Sequence, residues 1–406
     1  MLDPHYLQQI ADGAENIASQ LHEYIIRQIV DRMMIRIGRG DDYLLTSSDA
    51  WRIQVLQDSG YLLQDITAEL AKYTKRQEKE IKTAMEEAGV KALEYDDKIY
   101  RAAGLSPMPL TQSPALIRLM ERNYNATLGE WNNYTRTTAQ AAQRLFLNEC
   151  DFAYNKVMSG ATSYSQAVRE AVESVASGGV YVDYPSGHRD TIETATARAV
   201  RTGIAQAAGD ISLKRMEEMD WDIILVSAHI GARTGDGGQN PGNHLWWQGQ
   251  FYSRTGRDKH FPNFYERTGY GTGVGLSGYN CRHSFGSGDG VNNPYADIQT
   301  ADNVRVEKLE QRQRALERRV RKTKREVMGL QEAVDKCQDE AARFELQQTL
   351  DRKSYLLSKQ NRAYSEFCKE NDLRPLNERL QIARWSREQA AKARGAARRY
   401  QNTKGE

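Results

Sequence analysis

Residues 303–345, NVRVEKLEQRQRALERRVRKTKREVMGLQEAVDKCQDEAARFE, form the most regular stretch of the chain and set its class. Leu309, Leu316, Thr323, Leu330, Cys337 and Phe344 recur at a seven-residue interval. Gln313, Val320, Val327, Val334, Ala341 and Gln348 form a second seam at the same interval. Two offset seams of that period predict a long amphipathic, coiled-coil-like helix. Arginine, lysine and glutamate crowd the remaining positions, as in Glu317-Arg-Arg319 and Arg321-Lys-Thr-Lys-Arg-Glu326. If straight, such a rod is ~65 Å long at the helical rise per residue. A second register runs through Leu346, Leu350, Lys353, Leu357, Gln360, Tyr364 and Phe367. The phase jump between Phe344 and Leu346 predicts a bend or a second partner surface. A helix of this kind needs something to lie against, either its own protein or another subunit.

Toward the N-terminus the chain reads as helix after helix. Asp3-Pro4 is a capped start with proline in the first turn. Ile10, Ile17, Leu21, Tyr24 and Ile25 then mark one face, up to Gly38 and Gly40. Thr46-Ser47-Ser48-Asp49 is a second start signal before Trp51, Val55 and Leu56, with Gly60 as the expected stop. Ile66, Leu70, Tyr73, Ile81 and Met85 continue the pattern to a stop at Gly89. The Pro-rich break at Leu105–Pro114 separates these from helical spacing that resumes at Leu116 and ends near Gly160. At Ser177-Gly-Gly179 the composition changes. Val180–Tyr184 alternates as a short strand before a turn at Pro185, Asp190–Glu218 reads as an Ala- and Arg-rich helix, and Trp221–Val226 as the best strand. The expected fold is therefore mainly α: a helical domain over 1–177, a small α+β glycine- and aromatic-rich module over 178–300, long amphipathic helices over 301–374, and a basic tail over 375–406.

Of the 406 residues, 39% are hydrophobic and 27% charged, a balance that suits compact cores together with long solvated helices. The longest aliphatic run, Ile223–Val226, is far short of the ~20 residues of a membrane span, and the first residues lack the order of a signal peptide. Four cysteines without CxxC spacing imply no disulfide framework. The net charge of +2 hides a split. Residues 301–406 hold 26 basic against 17 acidic side chains, or +9, which leaves −7 for the first 300. A basic end of this kind suits acidic partners, nucleic acid among them.

The chemistry-bearing residues lie between 227 and 286. Ser227-Ala-His229-Ile-Gly-Ala-Arg233 is followed by the loop Thr234–Gly242, then Asn243-His244-Leu-Trp246-Trp247-Gln248-Gly249, and finally Asn280-Cys281-Arg282-His283-Ser284. His229, His244, Cys281 and His283 are candidate ligands for a soft or borderline ion, a structural zinc in the first instance. The spacing is not that of a zinc finger, and a hydrogen-bonded histidine cluster under Trp246 and Trp247 remains the other reading. A metal-dependent hydrolase or nuclease would use the same residues with Asp236 as a carboxylate. No P-loop, HExxH or GxSxG appears, and no residue is assigned a catalytic role. Gly269–Gly275 lacks the lysine and hydroxyl of a phosphate cradle and reads as a sharp backbone turn.

In these segments the chain resembles the phage minor capsid protein 2 family of tailed phages and prophages of Gram-positive bacteria. The resemblance is carried by Ser227-x-His229-x-Gly-Ala-Arg233, His244 with Trp247-Gln-Gly249, Thr268-Gly-Tyr-Gly and Gly275-Leu-x-Gly-x-Asn280-Cys-Arg-His283. Trp51 with Val55-Leu56, Asp65–Lys72 and Asp97-Lys-Ile-Tyr100 fit in the helical part, as do Leu316-Glu-Arg-Arg and Arg321–Glu326 in the rod. The module is similar, more distantly, to Mu F-like head morphogenesis proteins. Two departures stand out: a longer step between Arg233 and His244, and Gly286–Gly290 after the Cys-Arg-His run. The resemblance implies a structural head protein without enzymatic activity. It would lie in the virion near the portal, in the host cytoplasm during assembly, and assist head assembly, DNA packaging or ejection. Its expected partners are portal protein and other capsid proteins. Packaged DNA along the basic tail and further copies of the chain are additional candidates.

Overall fold

The computed structural model describes residues 1–44, 48–179, 181–184, 186–298 and 300–404. Thr46 and Ser47 of the second start signal, and Val180 and Pro185 beside the first expected strand, lie outside the described residues. The fold is mainly α, 70% helix against 4% strand.

In chain order the first helices are α1 (Pro4–Gln9), α2 (Asp12–Ile37), α3 (Asp41–Leu44), α4 (Ser48–Ala102), α5 (Pro114–Met158) and α6 (Tyr164–Gly178). Next come β1 (Tyr181–Asp183), β2 (Arg189–Thr191), α7 (Ile192–Glu218), β3 (Ile223–Val226), α8 (His244–Trp247), β4 (Phe251–Ser253), α9 (Phe264–Thr268) and β5 (Phe285–Ser287). The last are α10 (Asn303–Lys336), α11 (Glu340–Glu370) and α12 (Arg387–Lys404). The Asp3-Pro4 start holds: the Asp3 carboxylate accepts from the His5 and Tyr6 N–H groups.

Gly60 and Gly89 were both expected to stop helices, and neither does. Both lie inside the 55-residue α4. A glycine costs about 1 kcal/mol in a helix interior, which the packing of so long a helix outweighs. At Gly89 the small residue has a packing use, because a Cβ there would lie 3.1 Å from Ile211 of α7. The 303–370 rod breaks at Cys337–Asp339, upstream of the expected bend between Phe344 and Leu346. There the Asp339 carboxylate caps α11 by accepting from the Ala342 N–H at 2.7 Å.

The chain forms two compact units. The first is built from Met1–Glu15, Lys75–Asn133 and Thr194–Gln311. Its helical core joins Leu7, Ala11, Ile81, Met85, Ala88, Val200, Ile204 and Ala208, small residues on α7 letting helix axes approach closely. Here β3 is the central strand of a β4-β3-β5 sheet, antiparallel to both neighbours, with Ile224 opposite Tyr252 and Ser287. Against this sheet lies a second core of Met216, Val226, Trp247, Tyr252, Phe264, Leu276 and Phe285. Antiparallel strands this short have too little area to stand alone, so the aromatic side chains supply most of the burial.

The second unit is built from Asn16–Thr74, Tyr134–Glu193 and Arg312–Glu406. Ile17, Leu21, Ile25, Ile26, Ile29, Val30, Met33 and Met34 of α2 are all buried, so this helix is a core element. Each such side chain contributes about 1.5–3 kcal/mol of burial. Within the unit α10 and α11 run antiparallel. The Gln313 side chain reaches Tyr364, Glu317 accepts from the Tyr364 hydroxyl, and Lys353 pairs with Glu326 at 3.0 Å. The rod therefore lies against its own protein through Val320, Val327, Leu330, Leu346, Leu350 and Leu357. The tail is also ordered here. α12 packs on α11 through buried Ala393, Ala396 and Ala397, the Tyr355–Tyr400 ring contact at 5.3 Å, and the Arg399–Asp351 pair at 2.7 Å.

Candidate functional site

The module of the first unit brings the predicted residues to one place by extending the β3–β5 pairing. Just past the strands, the Ser227 N–H donates to the Ser284 carbonyl, and the Ser284 N–H donates to the Ser227 hydroxyl, both at 2.9 Å. That register sets His229 beside His283, their rings stacked with centroids 4.4 Å apart. The long Arg233-to-His244 step does not loosen the site, because its two ends are pinned. The His244 N–H donates to the Arg233 carbonyl at 2.7 Å. Inside the loop, Asp236 accepts from the Gly238 N–H and the Asn240 amide, and the Trp247 indole donates to the Pro241 carbonyl.

The Cys281 segment enters the site through the glycine-rich turn. A Cβ on Gly275 would come within 2.3 Å of the Gly269 carbonyl, and one on Gly278 within 2.5 Å of the Gly273 carbonyl. Backbone packs directly on backbone here, which only glycine permits. The turn delivers Cys281 to the core, while the Val274 carbonyl faces His244.

At the centre, Cys281 Sγ lies 3.8 Å from His244 Nδ1 and 3.6 Å from His283 Nδ1. All three side chains are buried, and their donor atoms lie within 4.8 Å of one another. The far ring nitrogens are also held. His244 Nε2 lies 3.0 Å from the Val274 carbonyl and 2.6 Å from Arg233 Nη2. His283 Nε2 lies 2.9 Å from Gln248 Oε1, which in turn accepts from the His229 N–H. Trp247 walls the cluster, its ring 4.5 Å from His244 and 4.9 Å from His283.

Burial, reinforced by the Arg233 guanidinium, pushes His244 down to about 3. Burial and the neighbouring His229 and His244 rings hold His283 well below the usual histidine range. Burial raises the Cys281 thiol, against the pull of the His283 N–H. Both imidazoles are thus neutral at neutral pH, the form that binds metals.

Of the four candidate ligands, the structure brings His244, Cys281 and His283 together by their donor atoms. His229 joins by ring stacking, its Nδ1 2.9 Å from the Ile230 carbonyl. Among the described residues no carboxylate converges with these three. Asp236, the carboxylate of the hydrolase reading, is exposed and held in its own loop. Residue-type reasoning placed Gln248 only within the Trp247-Gln-Gly249 motif, without the role it has here of orienting His283, and it missed Asn303. The Asn303 side chain accepts from the Gly231 and Ala232 N–H groups and donates to the Ala232 carbonyl. Nothing in the spacing marks Asn303, since it acts through contacts distant in sequence.

The family model for phage minor capsid protein 2 matches residues 2–357, and so includes the whole module and most of the helical frame. The chain belongs to the phage minor capsid protein 2 family. As a member of a capsid protein family it is a phage structural protein of the virion, and it works alongside other phage structural proteins. Searches of curated proteins and of solved structures returned no match. No helix among the described residues is long and apolar enough to cross a membrane. For this minor capsid protein, the buried cluster lies within the matched residues.

Proposed function

We propose that the chain is a portal-associated component of the phage head that assists head assembly, DNA packaging or ejection by docking rather than by turnover. The family match over residues 2–357 carries this reading. The site's chemistry supports it: the imidazoles and thiol are buried, and among the described residues no carboxylate stands beside them to act as a base. The partners in this reading are portal protein and neighbouring capsid proteins, with further copies of the chain as a second contact. Packaged DNA meets α12, where Lys392, Arg394 and Arg398 are exposed.

The test is to isolate DNA-filled heads, cross-link them, and map this chain's contacts by mass spectrometry. Cross-links to portal protein support the docking role, and their absence from heads that contain the chain sinks it. For the DNA contact, the double variant Arg394→Gln/Arg398→Gln lowers the slope of binding against salt by roughly two counterions. An unchanged slope removes the tail from the proposal. The hydrolase or nuclease reading predicts cleavage by the purified chain that His244→Ala abolishes.

A further inference from the structure

The cluster at the centre of the module has a feature that the head-protein reading does not use. Two buried imidazole nitrogens, His244 Nδ1 and His283 Nδ1, converge on one sulfur, Cys281 Sγ. A thiol has a single weak proton to offer. The two sulfur–nitrogen separations match another arrangement. With Zn–S of about 2.3 Å and Zn–N of about 2.0–2.1 Å, the sulfur–nitrogen edge of a tetrahedron is about 3.6 Å. The observed distances are 3.8 and 3.6 Å. The far nitrogens fit as well. The ring N–H of a metal-bound histidine is nearly always given to a carbonyl or carboxylate, which fixes its tautomer. Here His244 Nε2 faces the Val274 carbonyl at 3.0 Å and His283 Nε2 faces Gln248 Oε1 at 2.9 Å.

We propose that His244 Nδ1, Cys281 Sγ and His283 Nδ1 bind a zinc-class divalent cation, which clamps α8 to the Cys281–His283 segment. Two neutral imidazoles and one thiolate form a borderline-soft set that selects zinc over magnesium or calcium. Binding displaces the Cys281 thiol proton to solvent, and the sulfur lone pair forms the bond to the ion. Among the described residues no fourth His, Cys, Asp or Glu joins the three, so a solvent molecule completes the shell. In this state Arg233 bonds the Val274 and Tyr279 carbonyls and no longer the His244 ring.

A metal-free alternative uses the same atoms. Arg233 would donate to His244 Nε2, His244 Nδ1–H to Cys281, the thiol to His283, and His283 Nε2–H to Gln248. The two arrangements separate in one experiment on the full chain, produced without a polyhistidine tag in zinc-supplemented medium and purified without chelator. Elemental analysis is expected to give about one zinc per chain. Cobalt(II) added after zinc removal should give a thiolate-to-cobalt charge-transfer band and the strong visible bands of a four-coordinate site. Cys281→Ser removes the charge-transfer band. Gln248→Ala leaves the three donors in place and weakens cobalt binding by about 10–100-fold. Wild-type chain that is helical by circular dichroism yet holds no zinc and gives no cobalt band overturns the proposal. So does a charge-transfer band that persists in Cys281→Ser. The outcome is independent of whether the chain docks on the portal.

Discussion

Arg325 is the residue whose replacement most directly tests how the second unit is held together. Its guanidinium lies among Glu23, Glu193 and His22, all nearly excluded from solvent. Arg325 Nε donates to Glu23 Oε1 at 2.8 Å, Nη2 donates to Glu193 Oε1, and the other Glu193 oxygen pairs with His22 at 2.8 Å. Arg325→Met keeps much of the volume but leaves two buried carboxylates without their shared cation. Removing one partner of such a network costs about 3–5 kcal/mol. The pH dependence makes the test specific. In the native protein burial tends to raise Glu193, but Arg325 and then His22 outweigh it, and its folded-state value lies below the ordinary one. Glu193 therefore stabilises the fold above the unfolded-state value, and that contribution is lost as pH falls through the folded-state value. In Arg325→Met burial dominates and both carboxyls shift upward. The variant then loses most at pH 7, and its deficit shrinks as pH approaches about 4.5, where the unfolded chain is protonated as well. Hydrogen exchange of α2 peptides measures this, because α2 is the buried centre of the unit. At pH 7 the variant should exchange about two to almost four decades faster than wild type. A ratio under about fivefold, or one that grows on acidification, would refute the reasoning.

Two further substitutions test other parts of the molecule. Asn303→Ala removes three hydrogen bonds and leaves the Gly231 and Ala232 N–H groups buried without their acceptor. It should destabilise the module by about 2–4 kcal/mol, read as faster exchange of a 227–249 peptide with little change in α2. Gly329→Val introduces a Cβ 2.7 Å from the Ala176 Cβ, and thermal melting should show a loss of about 1–3 kcal/mol; an unchanged melt would mean that α10 and α6 can separate at no cost.

Much of the helical architecture was legible because helix period and capping are local. Asp3-Pro4, the break at Leu105–Pro114 and the end near Gly160 all sit where their chemistry placed them. Gly60 and Gly89 misled for a physical reason: a glycine's preference of about 1 kcal/mol is small beside the packing of a 55-residue helix. The candidate site was legible as a set of residue types but not as a shape. His229 and His244 look alike in sequence, yet one stacks on His283 and the other aims Nδ1 at Cys281. Asn303 carried no signal of its own, and Gln248 carried only its place in the Trp247-Gln-Gly249 motif, because a side chain that orients another residue is defined only by what lies across from it.

Taken alone, the order of residues determined the mainly helical class, the place of the glycine- and aromatic-rich module, the family, and the side chains with chemistry to offer. These depend on spacing along the chain, on turn chemistry and on short motifs, all of which act within a few residues. Tertiary structure alone decided that each of the two units is assembled from three separated stretches, that the basic tail packs on α11, and that two imidazoles share one sulfur. Those outcomes depend on which buried surfaces fit one another, and that fit arises between residues whose separation in sequence carries no trace of it.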